Sequence, residues 1–309
     1  MMPDELQENS PRETRCGFVA LIGAPNVGKS TLVNALVGSK VTIVSKKVQT
    51  TRALIRGIVI EDNAQIILVD TPGIFAPKRR LDRAMVSTAW SGAHDADLVC
   101  ALIDARAGID DEADAILSKL ESVNHPKVLV LNKIDLVPRE KLLALAQKAN
   151  ERLKFTQTFM VSALSGDGVD DLRRALARDV PPGPFHYPED QMSDAPMRHL
   201  AAEITREKIY RHLHQELPYQ STVETDSWQD RKDGSVRIEQ TIFVERDSQR
   251  KIVLGKGGAT IKAIGADSRK EIAEIVGQPV HLFLFVKVRD GWGDDPERYR
   301  EMGLEFPKE

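Results

Sequence analysis

Between residues 15 and 180, short blocks of consecutive apolar residues alternate with longer stretches whose apolar positions recur every three or four residues. The blocks at 18–22, 65–69, 98–103, 128–131 and 159–161 are continuous rather than alternating, as in strands buried on both faces. A further strand at 53–60 joins 65–69 through the polar turn Glu61-Asp62-Asn63-Ala64, as in a hairpin. The stretches at 31–37, 81–90, 112–123, 139–153 and 169–178 carry the helical repeat. Strands and helices in alternation predict an α/β unit, a mostly parallel sheet with helices on both faces.

Four prolines within 181–188 break this pattern, because proline can neither continue a helix nor serve a central strand. Residues 181–196 therefore read as a semi-rigid linker. After it the order changes. Helical periodicity returns at 197–215, with Leu200, Ile204, Ile209 and Leu213 apolar. Strands at 221–230 and 235–245 flank the turn Arg231-Lys232-Asp233-Gly234. Helices at 248–254 and about 259–276 are separated by Gly255-Lys256-Gly257-Gly258, and a last strand is predicted at 280–288. The order α-β-β-α-α-β with a G-x-x-G turn between paired helices is that of an α+β type II KH domain over 197–290. Residues 1–14 are expected to be a disordered tail and 291–309 a C-terminal tail.

Composition changes this picture little. The chain has 309 residues, room for two domains, and a net charge of −3, so no global basic field announces nucleic acid. Its two cysteines suggest no disulfide framework, which fits a reducing cytoplasm, and Cys100 lies in an apolar run as a core thiol. The first residues lack the apolar segment of a secretory signal, and no run approaches the roughly 20 residues that span a bilayer.

The chemistry is concentrated at strand ends. Gly23-Ala24-Pro25-Asn26-Val27-Gly28-Lys29-Ser30 fits G-x-x-x-x-G-K-[ST] and lies between a strand and a helix. Glycines let successive backbone N–H groups point at phosphate oxygens, and the helix start adds partial positive charge. Lys29 can reach the β- and γ-phosphates, and Ser30 can ligate Mg²⁺. The next strand ends in Asp70, placed to hold Mg²⁺ through water, followed by Thr71-Pro72-Gly73, where the Gly73 N–H can sense the γ-phosphate. The strand at 128–131 leads into Asn132-Lys133-Ile134-Asp135. A carboxylate at Asp135 can accept two hydrogen bonds from guanine N1–H and N2–H₂, whereas adenine would leave it unpaired. Finally Ser162-Ala163 ends a short strand, where the Ala163 N–H can meet guanine O6. Four such elements in order, each at the C-terminal end of a strand, are where doubly wound folds place ligands. They predict a GTP- and GDP-binding GTPase domain over 15–180, with Lys29, Asp70 and Gly73 as its catalytic residues and residues 23–30, 70–74 (Ile74 included), 132–135 and 162–163 as its GTP-binding segments.

In the second domain, glycines of a KH turn allow close approach to the backbone of about four single-stranded nucleotides. Basic residues crowd that turn: Arg246, Arg250, Lys251, Lys256, Lys262, Arg269 and Lys270, against two aspartates in the same stretch. Gly255, Lys256, Gly257, Gly258, Arg250, Lys251 and Lys262 are the expected RNA-binding residues. His212 and His214 sit two apart on the predicted helix, on different faces, and so make no metal pair. Phe283 and Phe285 alternate on the last strand and are expected to pack against the helices rather than stack bases. Lys46 and Lys47 read as a solvated charge pair.

These motifs, with Gln49-Thr50-Thr51-Arg52, Val161-Ser162-Ala163, Pro218-Tyr219, Val280-His281-Leu282 and Gly291-Trp292, make the chain resemble the Era family, bacterial GTPases with a C-terminal KH domain. The resemblance runs from Gly17 to about Asp295. It implies a role in small (30S) ribosomal subunit assembly, with the KH domain gripping the 3′ end of 16S rRNA. It also implies a cytoplasmic protein partly associated with the cytoplasmic face of the inner membrane; a monomer is expected. One position departs from signalling GTPases: Ile74 follows Asp70-Thr71-Pro72-Gly73 where they carry a water-orienting Gln. An isoleucine cannot donate or accept, so slow intrinsic turnover is expected. Asn26 is expected to help hold a K⁺ beside the phosphates, and either Thr50 or Thr51 to supply the second Mg²⁺ hydroxyl. Two rival readings are a nucleotide-reporting module without useful turnover and a peripheral membrane regulator. A tRNA-modification GTPase would want an added cofactor segment or reactive Cys, which the chain lacks.

Overall fold

The computed structural model describes residues 13–47, 50–213, 217–291 and 295–307. The expected N-terminal tail up to residue 12, Gln49, His214 and Trp292 lie outside the described residues. The first unit is a six-stranded sheet of β1 (Arg15–Ile22), β2 (Ile55–Glu61), β3 (Ala64–Asp70), β4 (Leu98–Asp104), β5 (Lys127–Asn132) and β6 (Gln157–Val161). Their order is β2-β3-β1-β4-β5-β6; only β2 runs antiparallel, paired with β3 in the hairpin that the turn at 61–64 predicts. Five helices alternate with the strands: α1 (Lys29–Val37), α2 (Arg80–Asp95), α3 (Asp111–Leu120), α4 (Arg139–Arg152) and α5 (Val169–Asp179). The central apolar strand blocks are buried because helices cover them: Val19, Ala20, Ile22, Val99, Val128, Leu129, Val130 and Leu131 form one core with Leu32, Val33 and Leu172, while Phe159 and Met160 of the edge strand β6 are only partly buried. Strand order reverses at β1, which sits between β3 and β4. The loops after β1, β3 and β5 therefore converge at one end of the sheet, the usual ligand crevice of such folds.

The second unit contains α6 (Met197–His212), β7 (Ser221–Asp230), β8 (Val236–Val244), α7 (Asp247–Leu254), α8 (Ala259–Val276) and β9 (Val280–Val288). β7 and β8 form an antiparallel hairpin with an irregularity between Thr225 and Ser227, and β9 joins β8 in parallel to complete the order β7-β8-β9. Helices α6 and α8 pack on one face of this sheet through Ile204, Ile209, Ile264 and Ile272 against Val236, Ile238, Ile242 and Val286. Ile43, from the loop after α1, is buried in that same core beside Leu200, Ile204 and Ile238.

The structure departs from two sequence expectations. The residues of β9 that face the helices are Val280, Leu282, Leu284 and Val286, so Phe283 and Phe285 stand on the opposite face, 43% and 49% exposed. The stretch expected as a free C-terminal tail contains α9 (Pro296–Glu301), whose Tyr299 is fully buried and packs with Leu304 against Leu81, Ala84 and Met85 of α2. Among the described residues, no helix is long and apolar enough to cross a membrane.

Candidate functional site

The loop from Gly23 to Ser30 connects β1 to α1 and curls back over the sheet end. Gly28 has φ +102°, and a Cβ on it would lie 2.3 Å from Asn132 Nδ2, so both its backbone region and its neighbour demand glycine. Asn26 shares the left-handed region at φ +62°. Inside the curl, Lys29 Nζ donates to Gly23 O and Ala24 O, each at 3.0 Å. Burial pushes the Lys29 ammonium down to about 8, with the nearby Asp70 carboxylate partly opposing the shift. An arriving phosphate favours the charged lysine, so nucleotide binding takes up a proton once the free site has titrated. The affinity for GTP is expected to fall about tenfold between pH 7 and pH 9 on this account, checked by nucleotide titration across that range.

Asp70 ends β3 fully buried. Its Oδ2 accepts from Ser30 Oγ at 2.7 Å, Thr42 Oγ1 at 2.9 Å and Thr51 Oγ1 at 3.3 Å. Ser30 Oγ and Thr51 Oγ1 are themselves 3.0 Å apart. Burial raises the Asp70 pKa, opposed by the Ser30 hydrogen bond and by Lys29. Oδ1 of Asp70 is buried and has no hydrogen-bond partner among the described residues, a costly condition for a carboxylate oxygen. One carboxylate with converging hydroxyls is a hard oxygen set, which fits Mg²⁺ held jointly with phosphates and water. Of the two threonines left open by the sequence, Thr51 joins this cluster; Thr50 Oγ1 turns away to Lys47 O at 2.7 Å. Thr42 was not foreseen, since a lone threonine in a loop carries no motif.

Thr71 Oγ1 donates to Leu21 O at 2.6 Å and Ile74 N–H to Gly23 O at 3.1 Å, which holds the segment with Pro72 and Gly73 against the phosphate loop. A Cβ on Gly73 would sit 2.9 Å from Pro25 Cα, so glycine permits that approach. Ile74, expected among the GTP-binding residues, instead buries its side chain in the sheet core and does not line the cleft.

At the other end, Asn132 ties three segments together. Its Nδ2 donates to Val27 O at 2.8 Å, and its Oδ1 accepts from Lys133 N at 2.8 Å and Ala163 N at 3.0 Å. The Ala163 N–H, expected to meet a guanine oxygen, is thus engaged by Asn132 in this structure, and Ser162 is buried beside it. Lys133, at φ +66°, reaches over the loop to Asn26 O and to Asp104 at 2.7 Å. Burial would raise the Asp104 pKa, but hydrogen bonds from Arg106 and Lys133 hold it at about 2. Ile134 begins the short turn that carries Asp135, whose carboxylate is exposed at the edge of the cleft. Leu136 and Leu164, 56% and 85% exposed, line the same end and offer apolar surface for a flat base. Sequence motifs gave no hint of either. The cleft enclosed by all these segments measures 990 Å³.

The loop carrying Thr50 and Thr51 is fastened to the second unit. Arg52, 4% exposed, donates to Ser221 O (2.9 Å), Tyr219 O (3.1 Å), Tyr210 Oη (3.2 Å) and Pro218 O (3.4 Å). Arg206 of α6, also buried, donates back to Thr50 O at 2.5 Å. Lys47, expected to be merely solvated, donates to Leu213 O, and Lys40 pairs with Glu207 and Glu271.

Beyond it, Gly255, Gly257 and Gly258 take φ of +70°, +61° and +78° between α7 and α8. A Cβ on Gly257 would meet nothing within 4 Å, so this backbone is open to an approaching strand. Arg250, Lys251, Lys256 and Lys262 are exposed around it, the first two sharing Asp247 at 3.6 and 3.4 Å. Ile252, 55% exposed on α7, adds an apolar contact that the charge pattern concealed. His212 pairs with Asp267 at 2.7 Å, and among the described residues no three or more His, Cys, Asp or Glu side chains group so as to hold a metal ion.

Residues 18–133 match the family described as 50S ribosome-binding GTPase, and residues 216–293 match the KH domain family. The chain is 84% identical to GTPase Era of Afipia carboxidovorans over the whole of both chains, and 67% identical to GTPase Era of Brucella suis over 97% of this chain and 96% of that one. A crystal structure of Era in complex with MgGDPNP and nucleotides 1506–1542 of 16S ribosomal RNA superposes with a TM-score of 0.89 at 37% identity, covering 94% of this chain and 99% of that one. A tyrosine-to-alanine variant of Era from Aquifex aeolicus bound to GDP·AlF4⁻ gives a TM-score of 0.87 at 36% identity, over 94% of this chain and 99% of that one. With a strand-end nucleotide cleft in the first unit and a glycine turn between basic helices in the second, this chain belongs to the GTPase Era family.

Proposed function

We propose that the chain is a GTP-hydrolysing switch whose nucleotide state governs binding of the 3′ end of 16S rRNA by its KH domain during 30S subunit assembly. The observation that carries the reading is the double fastening of residues 50–52: Thr51 belongs to the Asp70 cluster while Arg52 grips the KH side. A loop that cannot move at one end without pulling the other converts nucleotide state into domain position.

In hydrolysis a water oxygen attacks the γ-phosphorus, the bond to the β-phosphate oxygen breaks, and GDP leaves with that electron pair. The site residues take these parts. Lys29 stabilises charge on the transferred group, and the backbone N–H groups of Ala24 and of Asn26 to Ser30 bind the phosphates around Pro25. Ser30, Thr51 and Asp70 would hold Mg²⁺, which supplies charge neutralisation between the β- and γ-phosphates. Gly73 N–H senses the γ-phosphate, with Thr71 and Pro72 setting its position. Asn132, Lys133, Ile134 and Asp135 hold guanine together with Ser162 and Ala163. Arg250, Lys251, Lys256 and Lys262 neutralise RNA phosphates around the Gly255–Gly258 turn. The core position of Ile74 supports slow turnover, since no side chain there orients water. Asn26 would help hold K⁺ beside the phosphates, where the ion would add positive charge.

Multiple-turnover phosphate release tests the activity, with and without an rRNA 3′-end oligonucleotide and in K⁺ or Na⁺ buffer. Slow release that rises with K⁺ is expected; equal rates in the two salts would remove K⁺ from the account, and no turnover at all would leave a nucleotide-reporting module. The protein acts as a cytoplasmic monomer with peripheral attachment to the inner membrane, which flotation with anionic liposomes and sedimentation test.

A further inference from the structure

The outer face of the β7-β8-β9 sheet takes no part in the site just described, yet it is not an inert surface. Successive outward positions of β9 are His281, Phe283, Phe285 and Lys287, paired across the ladder with Arg237, Glu239, Thr241 and Phe243 of β8. Three aromatic rings thus share one face with three potential cations, and Arg289 follows at the end of the strand. The guanidinium of Arg237 lies 4.9 Å from the Phe283 ring, and that of Arg289 5.5 Å from the Phe243 ring. Glu239 is locked in an ion pair with Arg237 at 2.5 Å. Lys287 and Arg289 meet no carboxylate among the described residues, while the remaining acids of the face, Glu224 and Asp226, lie on the far strand.

Packing does not explain the two exposed rings. The core is complete with Val280, Leu282, Leu284 and Val286, and leucine or threonine would serve an outward strand position without leaving an aromatic in water. Rings two residues apart on one strand stand about 7 Å from each other, so each can meet a separate base. A sheet face with aromatics flanked by cations is how other sheet-based modules bind single strands: bases stack on the rings and phosphates meet the charges. Continuity favours the same occupant here. β9 is the edge strand, and α7, which leads into the Gly255–Gly258 turn, packs against it. A strand leaving that turn reaches Phe283 and Phe285 by crossing one strand edge.

We propose that the outer sheet face centred on Phe283 and Phe285 is a second single-stranded RNA surface, on which bases flanking the segment held at the glycine turn stack. The proposal rests on the RNA-binding reading above and adds a second contact to it. The test compares the full chain with the double variants Phe283→Leu/Phe285→Leu and Phe283→Trp/Phe285→Trp. Fluorescence anisotropy follows an RNA of about 12 nucleotides from the 16S 3′ end and fragments of about four, the length a KH turn clamps. The leucine pair is expected to weaken the long RNA about 10- to 100-fold and leave the short fragments unchanged, with the tryptophan pair near wild type. Both side chains are solvent-facing, and equal thermal midpoints verify the fold. Iodouridine placed along the long RNA should crosslink to residues 283–285. Unchanged long-RNA binding by the leucine pair overturns the proposal. So does a wild-type dimer in sedimentation that the leucine pair dissolves while binding RNA normally, for then the face is an interface between copies. Failure of the wild type to hold the short fragments, or their indifference to Gly257→Asp, strikes the glycine-turn reading instead; the sheet face is judged by the leucine pair's difference from wild type on the long RNA.

Discussion

Lys29→Ala is expected to slow GTP hydrolysis by about a thousandfold, read as single-turnover phosphate release at saturating nucleotide. The geometry makes this lysine hard to replace. Its ammonium is buried and lodged on the carbonyls of Gly23 and Ala24, at the centre of the loop that would wrap the phosphates. A buried charge acts with little solvent screening, so its removal is felt strongly where negative charge shifts during transfer. Asp70 would also lose its nearest compensating charge. Lys29→Arg should recover little, because a planar fork does not fit between two carbonyls that a single Nζ bridges at 3.0 Å each. The KH half should keep its own fold, visible as binding of short RNA fragments equal to that of the nucleotide-free wild-type protein.

Asp135→Asn is expected to weaken GTP binding by about a thousandfold and to raise affinity for XTP, measured by competition against a labelled guanine nucleotide. A carboxylate accepts from both N–H groups on guanine's Watson–Crick edge, whereas an amide turns one acceptor into a donor. Xanthine carries a carbonyl where guanine carries its amino group, so the same change suits it. The carboxylate is exposed, and the loop around it is held by Asn132 and by the Lys133–Asp104 pair, so the substitution should leave the fold intact.

The phosphate loop was legible in the sequence because its chemistry is backbone chemistry. Gly28 must be glycine for its φ of +102° and for Asn132, and such demands leave a fixed spacing. The strand blocks of the first unit were legible for a related reason, since burial on both faces leaves unbroken apolar runs. The inward side of β9 is not legible in the same way. Its sequence, Val280 to Val288, is apolar at nearly every position, so alternation shows which residues share a face but not which face the helices take. α9 escaped notice because six residues with one buried tyrosine acquire a partner only when α2 is already in place. The grip of Arg52 on residues 218–221 and the entry of Ile43 into the KH core are contacts more than 150 residues apart, which no local pattern encodes.

That grip is where the central claim is most exposed. The decisive measurement is the affinity of the full chain for an rRNA 3′-end oligonucleotide with a GTP analogue and with GDP, repeated for Arg52→Ala. Tight binding with the analogue, weak binding with GDP, and loss of that difference in Arg52→Ala is the predicted result. Equal affinity in both nucleotide states of the wild-type protein would contradict it, leaving a GTPase and an RNA-binding domain on one chain without a switch between them.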